Sequence, residues 1–367
     1  MLKTTVQKAS FPTGRRVIVI SDIHGAFAYL QGLLKKIHFS PEDILVINGD
    51  IIERGPENLR CLQWLMELSK KQTVYTVCGN NDAYVRGLIY REYPAEEQDI
   101  LNRYCTVRSS VLGEMRKQLG LPDDLPASAF CKELKAHFAA EFDFIANMPT
   151  ILETPNFTFV HGGLRDTDIF SEKNARAFDL MKFDDFLAYP ISFSKPVVVG
   201  HWPSSLYSKG YFDCMPYVEP NRKIISIDGG CMIKNMGQLN AMILPDGSQS
   251  DYCFASFDLL PVKQALDDQA GRLPDISFCW PDCRVEMLED GEEICLVRHV
   301  SSGKILHVLK EDLWEQKGQL FCDDSSNGYL PVCAGESVSV ICQTQRSSLI
   351  KKNGKIGWYN GRLSEKE

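Results

Sequence analysis

Gly49-Asp50-Ile51-Ile52-Glu53-Arg54-Gly55 is the stretch on which the fold of this chain turns. It follows Ile44-Leu45-Val46-Ile47, a short apolar run that predicts a buried strand. After it, Leu59, Leu62 and Met66 recur at helical spacing. Asp50 therefore falls at the carboxyl end of a strand, where open α/β sheets bind ligands. A carboxylate there can bridge two metal ions. The glycine before it lets backbone and metal come close. Arg54, four residues on, is placed to reach an anion beside the metals.

Working outward, Val17-Ile18-Val19-Ile20 predicts a first core strand that runs into Ser21-Asp22-Ile23-His24-Gly25. Side chains two apart on a strand share a face, so Asp22 and His24 are expected to point the same way and hold one metal. Phe27, Leu30, Leu34 and Ile37 follow at helical spacing, and a Pro41-Glu42-Asp43 turn leads back to the Asp50 stretch. Such a strand–helix–strand unit should be parallel and right-handed. A third strand, Thr73 to Val77, ends in Cys78-Gly79-Asn80-Asn81-Asp82. Three successive strands thus end in a glycine and a metal-capable side chain. Further on, apolar runs lead into His161-Gly162-Gly163, Gly200-His201 and Asp228-Gly229-Gly230. Leu239 to Leu244 and Asp251 to Leu260 complete the core strands. Between them, residues 83 to about 148 carry Leu134, Phe138, Phe142 and Ile145 on one helix face, punctuated by Pro94, Pro122 and Pro126. This predicts a largely helical insertion folding over or beside the site.

The 367 residues are divided here into a catalytic domain at 1–262, a linker at 263–282 and a small all-β domain at 283–367. The last shows short strand-like segments separated by turn signals such as Ser301-Ser302-Gly303 and Asn353-Gly354. The formal charge of −8 argues against a nucleic-acid partner. No run of 18 apolar residues suggests a membrane span, and Met1 to Lys8 has no apolar signal core after it, so a cytoplasmic protein is expected. The 13 cysteines are scattered, with no CxxC pair, and read as free thiols. Cys279 and Cys283 are the nearest to a ligand pair, and one pair cannot make a four-ligand zinc site.

Asp22, His24, Asp50, Asn80, His161 and His201 form the candidate metal set. Carboxylates, imidazoles and an amide oxygen suit Mn²⁺ first, with Fe or Zn²⁺ as alternatives. Asp50 is the natural bridge, Asp22 and His24 complete one metal, and Asn80, His161 and His201 the other. Two cations so held activate a water for in-line attack on phosphorus. The planar fork of Arg54 would pair with two phosphoryl oxygens. Of the seven histidines, His161 and His201 directly follow apolar strands beside glycine and His24 closes the first strand's motif, whereas His38, His137, His299 and His307 lack this setting.

The order of motifs resembles the metallophosphoesterase superfamily, and within it the phosphoprotein phosphatase (PPP) group of serine/threonine phosphatases and symmetrical diadenosine tetraphosphatases. The family's GDxHG, GDxxDRG, GNH(E/D), HGG and later histidine stand here as SDIHG, GDIIERG, GNND, VHGG and GH, covering roughly residues 16–245. The resemblance implies a metal-bearing α/β/β/α sandwich, so that the strands divide between two facing sheets. Ser21 replaces the first glycine and Glu53 the aspartate of DRG. The third departure matters most. Asn81 stands where the family's histidine protonates the leaving oxygen, oriented by the following acid, here Asp82. Asparagine cannot be a general acid. Either another group serves, Asp82 among the candidates, or the leaving group has a low pKa, or turnover is slow. Asn81 and Arg165, after the HGG motif, are further candidate phosphate contacts, and Asp228 is read as shaping the rim.

The resemblance implies a phosphomonoesterase, foremost a Ser/Thr phosphoprotein phosphatase. The alternatives are a dinucleoside polyphosphate or nucleotide pyrophosphohydrolase, and an inactive metal-binding scaffold. The substrate partner is accordingly a phosphorylated protein or a nucleotide. At the C-terminus, Gly357-Trp358-Tyr359 resembles the last hairpin of a bacterial SH3-like module. An exposed aromatic pair there would bind a peptide partner; a buried pair would be core.

Overall fold

The computed structural model describes residues 3–91, 98–107, 109–169, 171 and 176–365; Pro94 lies outside the described residues. The chain forms two compact units. One comprises Met1–Ser204 and Pro216–Asp258, the other Ser205–Met215 and Leu259–Glu367.

In chain order the first unit contains β1 (Val6–Lys8), β2 (Val17–Ile20), α1 (Phe27–Lys36), β3 (Ile44–Asn48), α2 (Asn58–Ser69) and β4 (Val74–Val77). Five helices follow: α3 (Asn80–Tyr90), α4 (Gln98–Val107), α5 (Val111–Leu119), α6 (Ala127–His137) and α7 (Ala139–Ala146). The unit closes with β5 (Ile151–Glu153), β6 (Thr158–Val160), α8 (Ala177–Met181), β7 (Val197–Val199), β8 (Tyr217–Glu219), β9 (Ile224–Ser226), β10 (Leu239–Leu244) and β11 (Cys253–Phe257).

These strands make two sheets, ordered β11-β10-β2-β3-β4 and β1-β5-β6-β7-β9-β8. The expected parallel unit is present, with Val17 beside Ile44 and Leu45 beside Val74. Alternate residues of each strand serve different cores, as the period of two demands. Val17, Val19, Ile44 and Val46 meet Phe159, Val198 and Ile225 of the other sheet. Ile18, Ile20, Leu45 and Ile47 pack instead with Leu30 and Leu33 of α1 and Leu62 and Leu65 of α2. Val197, Val199 and Ile224 are covered on their outer side by Leu180 and Phe186. A strand buried on both faces reads as a continuous apolar run, which is why β2 and β3 stand out in the sequence. The result is an α/β/β/α arrangement with strand ends gathered at one rim.

The insertion is helical, and its core residues Leu134, Phe138, Phe142 and Ile145 join the α1–α2 cluster. Helix α5 begins where the Ser110 hydroxyl accepts the Gly113 N–H at 3.1 Å, and ends at Gly120, whose φ of +63° suits glycine.

The second unit is all-β. Val262–Gln264, Ser337–Gln343, Ser348–Lys352 and Lys355–Tyr359 form an antiparallel sheet, and Val285–Glu289, Ile294–His299 and Ile305–Leu309 another. The stretch expected as a linker is woven into this unit. Residues 262–264 and 277–278 are strands, and Gln269 and Arg272 make β-bridges to Val332 and Tyr329. Backbone pairing, which polar residues make as readily as apolar ones, gave no compositional signal. Segment 205–215, expected in the first domain, also belongs here: the Cys214 N–H donates to Gly354 O and the Ile356 N–H to Phe212 O, both at 2.9 Å. Trp358 and Tyr359 are buried, and the Trp358 indole N–H donates to Ser326 O at 3.0 Å. The pair is therefore core and not an exposed platform. All 13 cysteines are thiols. Among the described residues no helix is long and apolar enough to cross a membrane.

Candidate active site

Asp22 and His24 do share a direction, but strand alternation is not the reason. Strand β2 ends at Ile20, and both residues sit in left-handed backbone, at φ +57° and +50°. Their loop runs beside the Asp50 loop: Asp22 N–H donates to Gly49 O at 3.0 Å and His24 N–H to Asp50 O at 2.9 Å. Asp50, Glu53, Arg54 and His201 also have positive φ. Such backbone costs on the order of 1–3 kcal/mol per residue and persists where the surroundings over-determine it. Two glycines make the crowding possible. A Cβ on Gly79 would lie 2.1 Å from Asp50 Oδ1, and one on Gly49 2.4 Å from His161 Nδ1.

One ligand atom each from Asp22, His24 and Asp50 lie within 4.8 Å of one another, and all three residues are buried. His161 Nε2 is 3.4 Å from Asp50 Oδ2 and 3.9 Å from Asp22 Oδ1; His24 Nε2 is 3.8 Å from Asp50 Oδ2. The His161 Nδ1 lies 2.8 Å from Asn48 O, a carbonyl that can only accept. Nδ1 therefore always carries a proton, and Nε2 is the ring nitrogen that faces the carboxylates. His201 stands behind His161, ring centroids 5.5 Å apart, and its backbone N–H donates to Asp22 Oδ2 at 3.1 Å. Its Nε2 is engaged by Asp184 Oδ1 at 2.7 Å, so Nδ1 is the ring nitrogen left to act as a ligand. Lys182 Nζ donates to both Asp184 oxygens at 2.8 Å.

Electrostatics follow from burial and crowding. Burial, with the neighbouring Asp50 charge, pushes Asp22 up to about 7 against the pull of His161. Burial lowers His24 to about 4, so it is neutral. Burial also works against charge on His161, but Asp50 and Asp22 outweigh it and hold its pKa up to about 10. Asp228, wholly buried, is pushed well above the ordinary carboxylate range by burial and by Asp22. The hydrogen bond from His201 holds Asp184 well below that range.

At the start of α3, Asn81 donates twice to Asp50, from its backbone N–H to Oδ1 at 2.9 Å and from Nδ2 to Oδ2 at 2.6 Å. Asp82 is turned the other way. Its carboxylate accepts the backbone N–H groups of Asp50, Ile51 and Gly79 at 2.9, 3.1 and 3.0 Å. It ties the Asp50 loop to the helix. Arg54 is exposed, close enough for its charge to oppose protonation of His24. Arg165 is exposed and lies over the Phe183 ring, 4.8 Å from its centroid.

Three features escaped the sequence reading. Asn48 joins the two sheets, its Nδ2 donating to Val160 O and Val198 O at 3.2 Å each. An asparagine ending a buried strand must find partners, and that was the available signal. Asp184 lies in a loop whose sequence carries no motif. Glu53 reaches into the insertion, accepting the Tyr104 hydroxyl and the Val111 N–H, while Asn58 Oδ1 accepts the Glu53 N–H at 2.7 Å and its Nδ2 donates to Glu114 at 2.7 Å.

The residues fit divalent cations. His24 Nδ1 and Nε2, Asn80 Oδ1 and His161 Nε2 are buried polar atoms without a hydrogen-bond partner, and the two histidines' Nε2 atoms lie within 4 Å of the Asp22 and Asp50 carboxylates. Buried groups left this way are rare without a ligand to satisfy them. Oxygen and imidazole donors suit hard to borderline metals.

A frame of two sheets between helices, with a buried carboxylate–imidazole cage at its strand ends, defines a metal-dependent phosphoester hydrolase fold. The chain belongs to the calcineurin-like phosphoesterase family, whose model matches residues 15–227. It is 36% identical over 113 residues to the symmetrical bis(5′-nucleosyl)-tetraphosphatase of Photorhabdus laumondii, covering 29% of this chain and 40% of that protein. It is 44% identical over 62 residues to serine/threonine-protein phosphatase 1 of Salmonella typhimurium, covering 17% of this chain and 29% of that protein. The aligned stretches thus span less than half the length of these curated relatives. Among solved structures, a protein serine/threonine phosphatase of Saccharomyces cerevisiae is similar with TM-score 0.43 at 13% identity, over 70% of this chain and 84% of that one.

Proposed function

We propose that the protein hydrolyses a phosphoanhydride bond of a nucleoside polyphosphate, with two divalent cations, Mn²⁺ first, held by Asp22, His24, Asp50, Asn80, His161 and His201. Such cations supply a nucleophilic water at neutral pH and offset charge on the phosphoryl oxygens. The observation that carries the substrate class is the start of α3. Asn81, at the family's general-acid position, spends its amide on Asp50 at 2.6 Å, and the Asp82 carboxylate is taken by three backbone N–H groups. Asn81 has no acidic proton to give, and Asp82, although burial and the Asp50 charge raise it to about 7, has both oxygens turned to those backbone N–H groups. General-acid help is typically worth 10²–10⁴-fold, and a leaving phosphate of low pKa needs it least.

The chain's own residues divide the remaining work. Asp50 would serve both cations, and Asp82 and Asn81 fix its loop. Asn48 and Asp184 fix the tautomers of His161 and His201. Arg54, exposed at the rim, is the residue to grip phosphoryl oxygens, and the exposed Arg165, just after the HGG loop, offers a second positive charge.

The test is phosphate or nucleotide release by the Mn²⁺-reconstituted protein from diadenosine tetraphosphate and from a phosphothreonine peptide, with Asp50→Asn as control. Cleavage of the dinucleotide supports the reading. Cleavage of the peptide alone replaces it with the protein-phosphatase reading, which the match to the Salmonella phosphatase favours. We also read the second unit as an SH3-like module and the free cysteines as those of a reducing, cytoplasmic compartment.

A further inference from the structure

Beside the candidate centre stands an aromatic pair that the chemistry above does not use. Tyr84 of α3 and Tyr104 of α4 lie with ring centroids 5.6 Å apart and planes tilted by 58°. Tyr84 is 44% exposed, a large aromatic surface left in solvent. Its place is fixed by the helix. Residues three apart on a helix share a face, so Tyr84 projects on the side of Asn81, whose amide holds Asp50. It stands three residues, roughly 4.5 Å along the axis, from Asn81. Tyr104 is fixed from the other end. Its hydroxyl donates to Glu53, the residue directly before Arg54. The Arg54 N–H donates in turn to Ser109 O at 3.0 Å, in the connection from α4 to α5. The pair is therefore tied both to the helix that bears Asn80 and Asn81 and to the loop that bears Arg54.

We propose that Tyr84, backed by Tyr104, is the platform on which the nucleobase of a nucleoside polyphosphate stacks while its phosphates reach Arg54 and the metal centre. The proposal deepens the nucleotide reading above and rests on it. Every base has a π-face, so an aromatic platform takes a base with little sequence preference. The bond to Glu53 makes Tyr104 a positioning residue, because it holds the Arg54 loop and the Tyr84 ring at a fixed separation. An exposed ring on the helix of Asn81, joined through Tyr104 and Glu53 to the Arg54 loop, is where a nucleoside, but not a bare phosphate, finds a contact.

The experiment compares the Mn²⁺-reconstituted full-length protein with its Tyr84→Ala and Tyr84→Phe variants on two anhydrides, diadenosine tetraphosphate and tripolyphosphate, which has no base. Stacking on one ring is worth about 1–3 kcal/mol by alanine substitution, or about 5- to 150-fold in affinity. Tyr84→Ala is expected to raise KM for the dinucleotide by at least fivefold and leave tripolyphosphate unchanged, while Tyr84→Phe keeps wild-type values. Equal loss on both substrates, or no change on the dinucleotide, overturns the platform. Saturation-transfer NMR with adenosine 5′-monophosphate supplies a readout independent of turnover. Enhancement at the adenine protons that Tyr84→Ala abolishes supports the platform even if the wild type cleaves no nucleotide, an outcome that would sink only the substrate reading. Absence of adenine enhancement in the wild type overturns the platform, as does a Tyr84→Ala effect confined to an aromatic-bearing phosphothreonine peptide.

Discussion

Gly79→Ala is the sharpest test of how tightly the candidate centre is built. Gly79 has φ −89° and ψ 172°, a conformation open to alanine, so the backbone itself offers no objection. The objection is steric. The new Cβ would sit 2.1 Å from Asp50 Oδ1 and 2.2 Å from Asp50 N, where ordinary contact begins at 3.4 Å. One side must retreat by roughly 1 Å or more. Neither is free to, because Asp82 accepts from Gly79 N at 3.0 Å and from Asp50 N at 2.9 Å and locks the two loops together. Overpacking of this kind costs about 1–3 kcal/mol. A displacement of about 1 Å in a bridging ligand costs on the order of 10²-fold in turnover. Gly87→Ala is the matched control, since it lies in the same helix with no heavy atom within 4 Å of its Cβ. It should raise stability by about 0.5–1 kcal/mol with activity unchanged. The assay pairs Mn²⁺ titration calorimetry with turnover. A Gly79→Ala protein that binds Mn²⁺ and turns over like the wild type would refute the reasoning.

Other outcomes follow from the same geometry. Asp184→Asn, which keeps the shape but weakens the partner of His201, should lower Mn²⁺ affinity about 10- to 100-fold in calorimetry while leaving the melting temperature of the metal-free protein nearly unchanged. Asn48→Ala removes two buried hydrogen bonds between the sheets and should cost about 1–3 kcal/mol in denaturant unfolding, together with weaker metal binding through His161. Asn81→His restores an imidazole at the leaving-group side and should raise turnover of a phosphomonoester at least tenfold, measured against diadenosine tetraphosphate, where the gain should be small. The pH dependence has a definite sign. In the metal-free fold Asp22 is raised from 3.8 to about 7 and His161 from 6.5 to about 10, so both bind more protons folded than unfolded. The stability they contribute falls as pH rises through those windows. Metal binding expels the protons, so the gain in melting temperature on adding Mn²⁺ should grow from pH 6 to pH 8. A gain that is flat or falls with pH contradicts the assignment of these two residues.

The parts of the molecule that the sequence announced are those where burial dictates residue type. Strands β2 and β3 are covered on both faces and can only be apolar, and the polar residues at their ends are there for the centre. Asp22, His24 and Asp50 therefore stood out, as did His161 after the equally buried β6. The reason for the common direction of Asp22 and His24 was misread, because left-handed backbone, and not strand alternation, turns them together. The weave of residues 262–278 into the second unit was hidden because backbone pairing makes no demand on side-chain type. Asp184 was invisible for another reason. It meets His201 from a separate loop, and no periodicity links positions brought together only by the closed fold. The grip of the insertion on Glu53 and Asn58 was equally silent, since it depends on where α4 and α5 land.

The most direct test of the central claim is a calorimetric titration of the metal-stripped protein with Mn²⁺, run beside turnover of diadenosine tetraphosphate, for the wild type and Asp50→Asn. Two ions per chain, with turnover that rises as the second binds and disappears in the variant, is the predicted result. Full turnover with one ion per chain, or turnover and stoichiometry unchanged by Asp50→Asn, would contradict a two-metal centre bridged by Asp50.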